Sequence, residues 1–194
     1  MPKEIKANEL RNGEFKMNDS HVKNVWHWWW GWNTGKAENW LEEMEKKGWN
    51  LIKVDFAQIR FSFKKGKSSK MKYCFDYPTY VEDDNYFEIF KEDSWELMDN
   101  KIGPWFIWRK PYEDEKPSIY TDTKSLIEKN NRQIRTVIFG IFVTLFIISI
   151  LLISNFAGAK LISALLILSL VFYGYIIVQL YQNNKKLKLS AIKC

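Results

Sequence analysis

The chain has few of the residues on which metal and redox sites usually depend. Among its 194 residues there are two cysteines and two histidines. Cys74 falls within a predicted strand and Cys194 is the last residue, so the spacing of a disulfide framework or a metal-ligand set is missing. His21 and His27 have no cysteine beside them, and no carboxylates stand at a recognisable ligand spacing. The sequence therefore predicts neither a metal nor a cofactor.

Catalytic motifs are also missing. There is no glycine-rich phosphate loop, no Gly-x-Ser-x-Gly elbow and no histidine cluster. The acidic run Glu82–Asp84 lacks the rest of a calcium-binding loop, so it indicates a solvated helix cap. Cys74 is most simply a small core residue. His27 is interpreted as a packed strand residue, with a pH-sensitive role as the alternative. We expect a protein that is not an enzyme.

The N-terminal sequence MPKEIKANELRNGEF lacks the apolar core of a secretory signal. We therefore expect the protein not to be exported by a cleaved signal, and its compartment to be reducing. Residues 1–110 hold 19 Lys and Arg against 18 Asp and Glu, whereas residues 111–194 hold 10 against 5. A nucleic-acid binder needs its basic patch on the folded domain. The charge distribution therefore argues against nucleic acid and favours anionic lipid of the inner leaflet.

Two long apolar runs dominate the C-terminal part. Thr136–Ser154 and Leu161–Leu180 carry no charged side chain. As helices they would be roughly 28–30 Å long, which is the hydrocarbon thickness of a bilayer. Soluble helices of this length normally keep one polar face. The sequence therefore predicts a transmembrane hairpin over residues 136–181, followed by a basic cytoplasmic tail over residues 182–194.

Basic residues flank this hairpin on one side. The stretch before the first run and the stretch after the second each contain four, whereas the intervening turn, Asn155–Lys160, contains one. The positive-inside rule then predicts a two-pass cell-membrane protein with both termini in the cytoplasm. Four of these side chains are predicted to flank the membrane: Arg132, Arg135, Lys185 and Lys186. No ionisable group lies inside either run, so an ion pathway is not expected; small residues on the spans permit homo-oligomer packing.

Residues 24–110 are predicted to form an aromatic-rich cytoplasmic α+β domain. The segment VWHWWWGW (Val25–Trp32) has the pattern of a strand that is aromatic on both faces. A helix is predicted from Thr34 to Lys47, ended by Gly48. Strands are predicted at Trp49–Asp55 and Ile59–Lys64, joined by a polar turn to the next strand.

The second half of this domain is predicted to repeat the order strand, helix, strand, strand. Its strands are expected at Lys70–Tyr77, Trp95–Met98 and Trp105–Lys110, with a helix after the cap Asp83–Asn85. A shift of 46 positions places Trp49-Asn50-Leu51 on Trp95-Glu96-Leu97. We expect a mainly antiparallel sheet with two helices on one face. Residues 1–23 are predicted to be a mobile arm, and 111–135 a linker and juxtamembrane helix with a capping box at Ser125.

Three segments carry a resemblance to a known family. AENWLEEMEKKGWNLIKV (Ala37–Val54), WFIWRKP (Trp105–Pro111) and IYTDTKSLIEK (Ile119–Lys129) resemble the bacterial domain of unknown function 2812. The resemblance covers roughly residues 24–130, and it implies an aromatic cytoplasmic domain followed by membrane spans. It also implies a gene beside a PadR-type regulator, and it implies no catalytic residues.

All ten tryptophans lie within residues 26–108, more than a small core requires. Aromatic side chains give rigid contact area and are frequent at interfaces. The leading hypothesis is a regulatory or accessory membrane protein that binds a PadR-type regulator or a transporter complex. Its predicted contact residues are Trp26, Trp28, Trp29, Trp30 and Trp32. The alternative is a sensor whose aromatic pocket takes a hydrophobic or cationic compound.

Overall fold

The computed structural model describes residues 21–78, 84–101, 103–120, 122–154 and 157–192. The strands are β1 (Val22–Trp26), β2 (Trp49–Asp55), β3 (Arg60–Lys65), β4 (Met71–Asp76), β5 (Glu96–Asp99) and β6 (Phe106–Pro111). The helices are α1 (Thr34–Lys46), α2 (Asp84–Glu92), α3 (Thr123–Ile153) and α4 (Ala159–Ile192), and a 3-10 turn spans Gly31–Asn33. The predicted α+β class with a C-terminal helical hairpin is confirmed. Most of the predicted N-terminal arm, residues 1–20, and the predicted cap residue Asp83 lie outside the described residues.

The strands form two antiparallel sheets of three strands each, in the orders β1-β3-β2 and β4-β6-β5. The predicted strand Val25–Trp32 is wrong beyond Trp26. Its partner β3 begins at Arg60, where the register ends, because Phe56, Ala57 and Gln58 have positive φ and turn the chain away. One further bond, from the His27 amide to the Ile59 carbonyl at 2.8 Å, closes the pairing.

The two halves of the domain repeat the same topology. Each half runs strand, helix, strand, strand, and in each the last strand lies in the middle of its sheet. The helices end at Lys46 and Glu92, and the residues with positive φ that follow them are Gly48 and Ser94. The second strand of each half along the chain also has its register shift at matching positions, Leu51/Lys53 in β2 and Leu97/Asp99 in β5. The predicted 46-residue shift is thus present in the backbone geometry.

Helix α1 packs against both sheets. Its buried side chains Ala37, Leu41 and Met44 form one core with Leu51, Val54, Phe61 and Phe63 of the first sheet and Tyr73, Phe75 and Ile107 of the second. Gly48 ends the helix with φ 75°, a conformation that a residue without a Cβ adopts at little cost.

Helix α2 packs on the opposite face of the second sheet. Phe90 of α2 is clustered with Cys74, Trp95, Phe106 and Trp108. Because successive strand side chains point to opposite faces, these positions alternate with Tyr73, Phe75 and Ile107 of the first core. The two helices therefore cover different faces, where the pattern had predicted two helices on one face of a single sheet.

The C-terminal helices α3 and α4 pack against each other as a hairpin. Both are long and apolar enough to cross a membrane. Only 11% and 6% of the most apolar 18-residue stretch of each helix is buried within the protein. Helix α3 runs without interruption from Thr123 through the first apolar run. Its cap is Asp122, which accepts a 2.6 Å hydrogen bond from the Ser125 amide. The predicted cap at Ser125 is wrong, because the carboxylate three residues earlier already satisfies that donor.

Candidate functional site

The α+β domain is joined to the hairpin by contacts from both of its halves. From α3, the Lys129 ammonium donates to the Phe75 carbonyl at 3.2 Å. One turn further on, the Arg132 guanidinium donates to the Tyr77 carbonyl at 2.7 Å. Both acceptors lie at the end of β4, so the second sheet is fixed to the first turns of α3.

The first half reaches the hairpin through the 3-10 turn. The Asn183 side-chain amide on α4 donates to the Trp32 carbonyl at 3.1 Å. A Cβ on Gly31 would lie 2.5 Å from Gln133 Oε1 and 2.6 Å from the Trp105 ring. The turn can approach α3 this closely only because Gly31 has no side chain.

A buried carboxylate strengthens the same junction. Asp76 is 4% exposed and accepts hydrogen bonds from the hydroxyls of Tyr86 and Tyr120. Burial, and next the negative charge of Asp76, raise the pKa of both tyrosines far above the ordinary value. Both hydroxyls therefore stay protonated and donate, which ties α2 and the segment before α3 to β4.

The five tryptophans of the predicted binding surface fall into three environments. Trp29 is partly buried and packs against the core: its indole NH donates to the Gln58 carbonyl at 2.7 Å, and its ring meets Phe75 and Trp105 edge-on. Because the indole NH has a hydrogen-bond acceptor and the ring packs against the core, Trp29 has a packing role. The contact of Trp29 with another protein stays a prediction, because the observed contacts of its side chain are all within the protein.

Trp30 and Trp32 lie against α4. Their rings stack with centroids 5.0 Å apart. Trp30 then meets Phe172 at 5.9 Å and Trp32 meets Tyr175 at 5.7 Å, both edge-on. Trp30 remains 46% exposed beside this apolar helix, where it contacts Phe172 within the second apolar run.

Trp26 and Trp28 are exposed on the domain, at 53% and 70%. Trp26 meets Phe56, itself 64% exposed, edge-on at 5.1 Å. The Arg60 guanidinium lies 6.0 Å from the Trp26 ring centroid. Sequence reasoning missed Phe56, because only the positive-φ turn brings it beside Trp26.

The predicted membrane-flanking residues also differ among themselves. Arg135, Lys185 and Lys186 are exposed, as contact with headgroups requires. Arg132 is engaged inside the protein by the Tyr77 carbonyl and lies 3.8 Å from Asp76. Its charge serves the junction between domain and hairpin.

A polar cavity of about 640 Å³ lies between the domain and the hairpin. Its walls come from the first turn of α1, from α3 and α4, from β4 and from the segment before α3. Its lining includes four lysines and one carboxylate: Lys36, Lys72, Lys129, Lys186 and Glu38. Sequence reasoning missed this cavity, because its residues come from four separate parts of the chain.

The cavity contains one cysteine, and its acidic lining is a single carboxylate. Cys74 lines it, but burial raises the pKa of this thiol well above its ordinary value, so the unreactive protonated form persists. Within the described ranges, no group of three or more His, Cys, Asp or Glu side chains is placed to hold a metal ion.

Together these features define a class of protein: an α+β domain of two repeated units docked on a pair of candidate membrane-spanning helices. The sequence identifies the family more closely. The chain belongs to the family described as Protein of unknown function (DUF2812), which it matches over residues 33–143. The match extends from the start of α1 into the apolar part of α3, and Trp26–Trp32 precede it. No curated protein and no solved structure gives a significant match.

Proposed function

We propose that the protein is a membrane-anchored accessory protein, without enzymatic activity, whose cytoplasmic domain binds another protein at the inner leaflet. The observation that carries this proposal is the exposed outer face of the first sheet. There Trp26 and Phe56 are 53% and 64% exposed, beside a domain whose other large aromatics are mostly packed. Exposed neighbouring aromatics mark interaction sites.

The charge around these rings favours an acidic partner. Trp26 pairs with Arg60 across β1 and β3, and Val22 pairs with Lys64 four residues along the same face. Lys53 extends that face on β2, and Asp55 is its acidic member, 2.9 Å from Lys53. Aromatic rings within a net positive surface suit a protein segment that combines apolar side chains with carboxylates.

The anchoring half of the proposal is supported by the hairpin. Basic side chains of both helices lie at the same end of the pair, because the helices are antiparallel neighbours. They are Arg135 on α3 and Lys185, Lys186 and Lys188 on α4. Under the positive-inside rule this distribution favours a cytoplasmic domain with both termini in the cytoplasm. The contacts of Lys129, Arg132 and Asn183 would hold the binding face at a fixed position relative to the membrane.

The family resemblance suggests two kinds of partner, a PadR-type regulator or a transporter complex. Binding a regulator would sequester it at the membrane, whereas binding a transporter would make this chain one of its subunits. Both use the same face, so one experiment addresses both.

The test places a photo-crosslinking amino acid at Trp26 or at Phe56 of the full chain in its native membrane. Ile89 on α2, which is 63% exposed, is the control position. We expect one protein to be crosslinked from both test positions and not from the control. That protein, once purified, should bind the detergent-solubilised full chain at least about tenfold more weakly after W26A/F56A.

Two results would contradict the proposal. Crosslinks to lipid alone would show that the face meets the membrane. Equal protein crosslinking from Ile89 would show that proximity is general and that the aromatic face has no particular partner.

A further inference from the structure

The polar cavity lies where the hairpin leaves its apolar runs. On α4 its wall begins at Gln179, at the end of the second run, and continues to Lys186. On α3 its wall is formed by Leu126, Lys129 and Asn130, before the first run begins at Thr136. In a membrane-spanning hairpin this is the level of the phospholipid headgroups.

Lys129 is a buried cation that makes no ion pair with an acidic side chain among the described residues. It is 5% exposed; its ammonium donates to the Phe75 carbonyl at 3.2 Å and lies 4.8 Å from the Tyr120 ring centroid. The ion pairs among the described residues do not include it. A buried ammonium with only a neutral acceptor is costly, and an anion in the cavity would remove that cost.

The opposite wall adds further positive potential. It is formed by the first turn of α1, which contains no acidic residue, and the side chain of the cap residue Asn33 makes no capping hydrogen bond to that turn. Nothing lies within 4 Å of a Cβ built on Gly35, so a ligand has room to approach this backbone. Lys36 and Lys186 are exposed at the cavity mouth. A helix N-terminus together with lysines favours a phosphate group.

The single carboxylate of the lining does not cancel this charge. Glu38 accepts from the Phe75 amide at 3.1 Å and lies 3.5 Å from the Lys72 ammonium. Lys72 in turn lies 3.1 Å from Glu42. Glu38 and Lys72 thus balance each other within the protein, and Lys36, Lys129 and Lys186 determine the charge that a ligand meets.

We propose that this cavity binds a phosphate-bearing anion, held by Lys129 at its base and by Lys36 and Lys186 at its mouth. The phosphate group belongs either to an anionic phospholipid or to a water-soluble phosphate compound. The cationic lining is unsuited to the hydrophobic or cationic compound that an aromatic sensor pocket would take. The site is independent of the proposed protein-binding face on the first sheet.

The test uses the full chain purified in an uncharged maltoside detergent, in buffer without phosphate. The cavity variant is K36Q/K186Q, and the matched control K124Q/K188Q removes two exposed lysines from α3 and α4 outside the lining. In one arm, calorimetry measures the binding of inorganic phosphate. In the other, native mass spectrometry counts phosphatidylglycerol retained from nanodiscs that mix it with phosphatidylcholine.

We expect saturable binding in at least one arm, weakened at least about tenfold in the cavity variant and by less than about twofold in the control. Binding of inorganic phosphate identifies a soluble ligand, and retention of phosphatidylglycerol alone identifies a headgroup. Equal weakening in both double variants, or no binding in either arm, would overturn the proposal. So would wild-type affinity in a folded K129Q protein. Neither result depends on the crosslinking experiment at Trp26 and Phe56.

Discussion

The two halves of the α+β domain have the same topology, but they differ in whether a helix covers the outer face of the sheet. In the second sheet, Phe106 and Trp108 point to the outer face and are covered by α2. In the first sheet the corresponding positions, 46 residues earlier, are Arg60 and Ser62, and no described helix packs on that face. The same backbone therefore gives one closed face and one open face, because the residues at alternate strand positions differ.

The helices show the same divergence. Glu45 near the end of α1 is 1% exposed, whereas Lys91 at the corresponding position of α2 is exposed. Glu45 of α1 accepts hydrogen bonds from donors of both sheets, the Leu51 amide and the Tyr73 hydroxyl, whereas Lys91 of α2 is exposed to solvent. The predictions below test where the halves are equivalent and where they are not.

Loss of the Glu45 carboxylate should have the largest effect. It accepts from the Leu51 amide at 2.9 Å and from the hydroxyls of Tyr73 and Ser69 at 2.7 Å each. Glu45→Ala leaves these donors without their acceptor and should lower the free energy of unfolding by about 3 kcal/mol or more. Denaturant unfolding followed by near-UV circular dichroism measures this. Lys91→Ala should stay within about 0.5 kcal/mol; equal effects would refute the asymmetry.

Substitutions at the second residue after each helix should change the free energy of unfolding in opposite directions. Gly48 and Ser94 have φ of 75° and 59°, and a Cβ at Gly48 would lie 2.7 Å from the Gly66 carbonyl oxygen. Gly48→Ala should therefore destabilise by about 2 kcal/mol. Ser94→Gly removes the strain and should stabilise by up to about 1 kcal/mol. Thermal unfolding of both variants checks the signs, and a stabilising Gly48→Ala would contradict the shared geometry.

A methyl group at Gly31 should separate the first half from the hairpin. Its Cβ would meet Gln133 and Trp105, so Gly31→Ala should cost about 1–2 kcal/mol. Limited proteolysis of the full chain in detergent should then cut faster near the 3-10 turn. Gly35→Ala, with open space around its Cβ, is the control and should be neutral or slightly stabilising. Similar cleavage rates in the two variants would count against the docked arrangement.

The smallest expected effect concerns the residue that follows the first strand of each half. His27 stacks on Trp40 at 4.0 Å, and Tyr77 meets Trp105 at 4.9 Å. Partial burial lowers the pKa of His27 below its ordinary value. The neutral ring is therefore favoured in the folded state, so its stabilising contribution is present above pH 6.5 and lost as the pH falls through the lower folded pKa.

Unfolding measured at pH 7.5 and pH 5 should show this loss, and His27→Phe should reduce it. His21→Asn is the control, since that side chain is exposed, and should leave the pH dependence unchanged. The same pH dependence in His27→Phe would assign it to other groups.

Sequence reasoning was most successful where one local signal decides the structure. The strand Trp49–Asp55 was predicted at its observed bounds, and the end of α1 was predicted at Lys47, one residue beyond its observed end at Lys46, because a C-terminal glycine and strand residues act locally. It failed at Val25–Trp32, where the pattern of a strand is present but β3 offers no further partner after Arg60. A strand needs a second segment to pair with, and the sequence of the first segment does not show where the second one ends.

The candidate sites show the same division. Sequence reasoning named Trp26 and Trp28, which are exposed, but grouped them with Trp29, Trp30 and Trp32, which pack against the core or α4. It could not name Phe56 or the cavity lysines. Alternation assigns side chains to faces, but it does not show which face another part of the chain covers.

The sequence by itself determined the α+β class, the repeated order of elements and the two apolar helices. These depend on periodicity and on long uncharged runs, which are readable residue by residue. Only the tertiary structure decided which sheet face stays open, which arginine is bound inside the protein and where three lysines line one cavity with a single carboxylate, which Lys72 balances. Those outcomes depend on distances between segments far apart in the chain, and desolvation and packing fix them only when the segments meet.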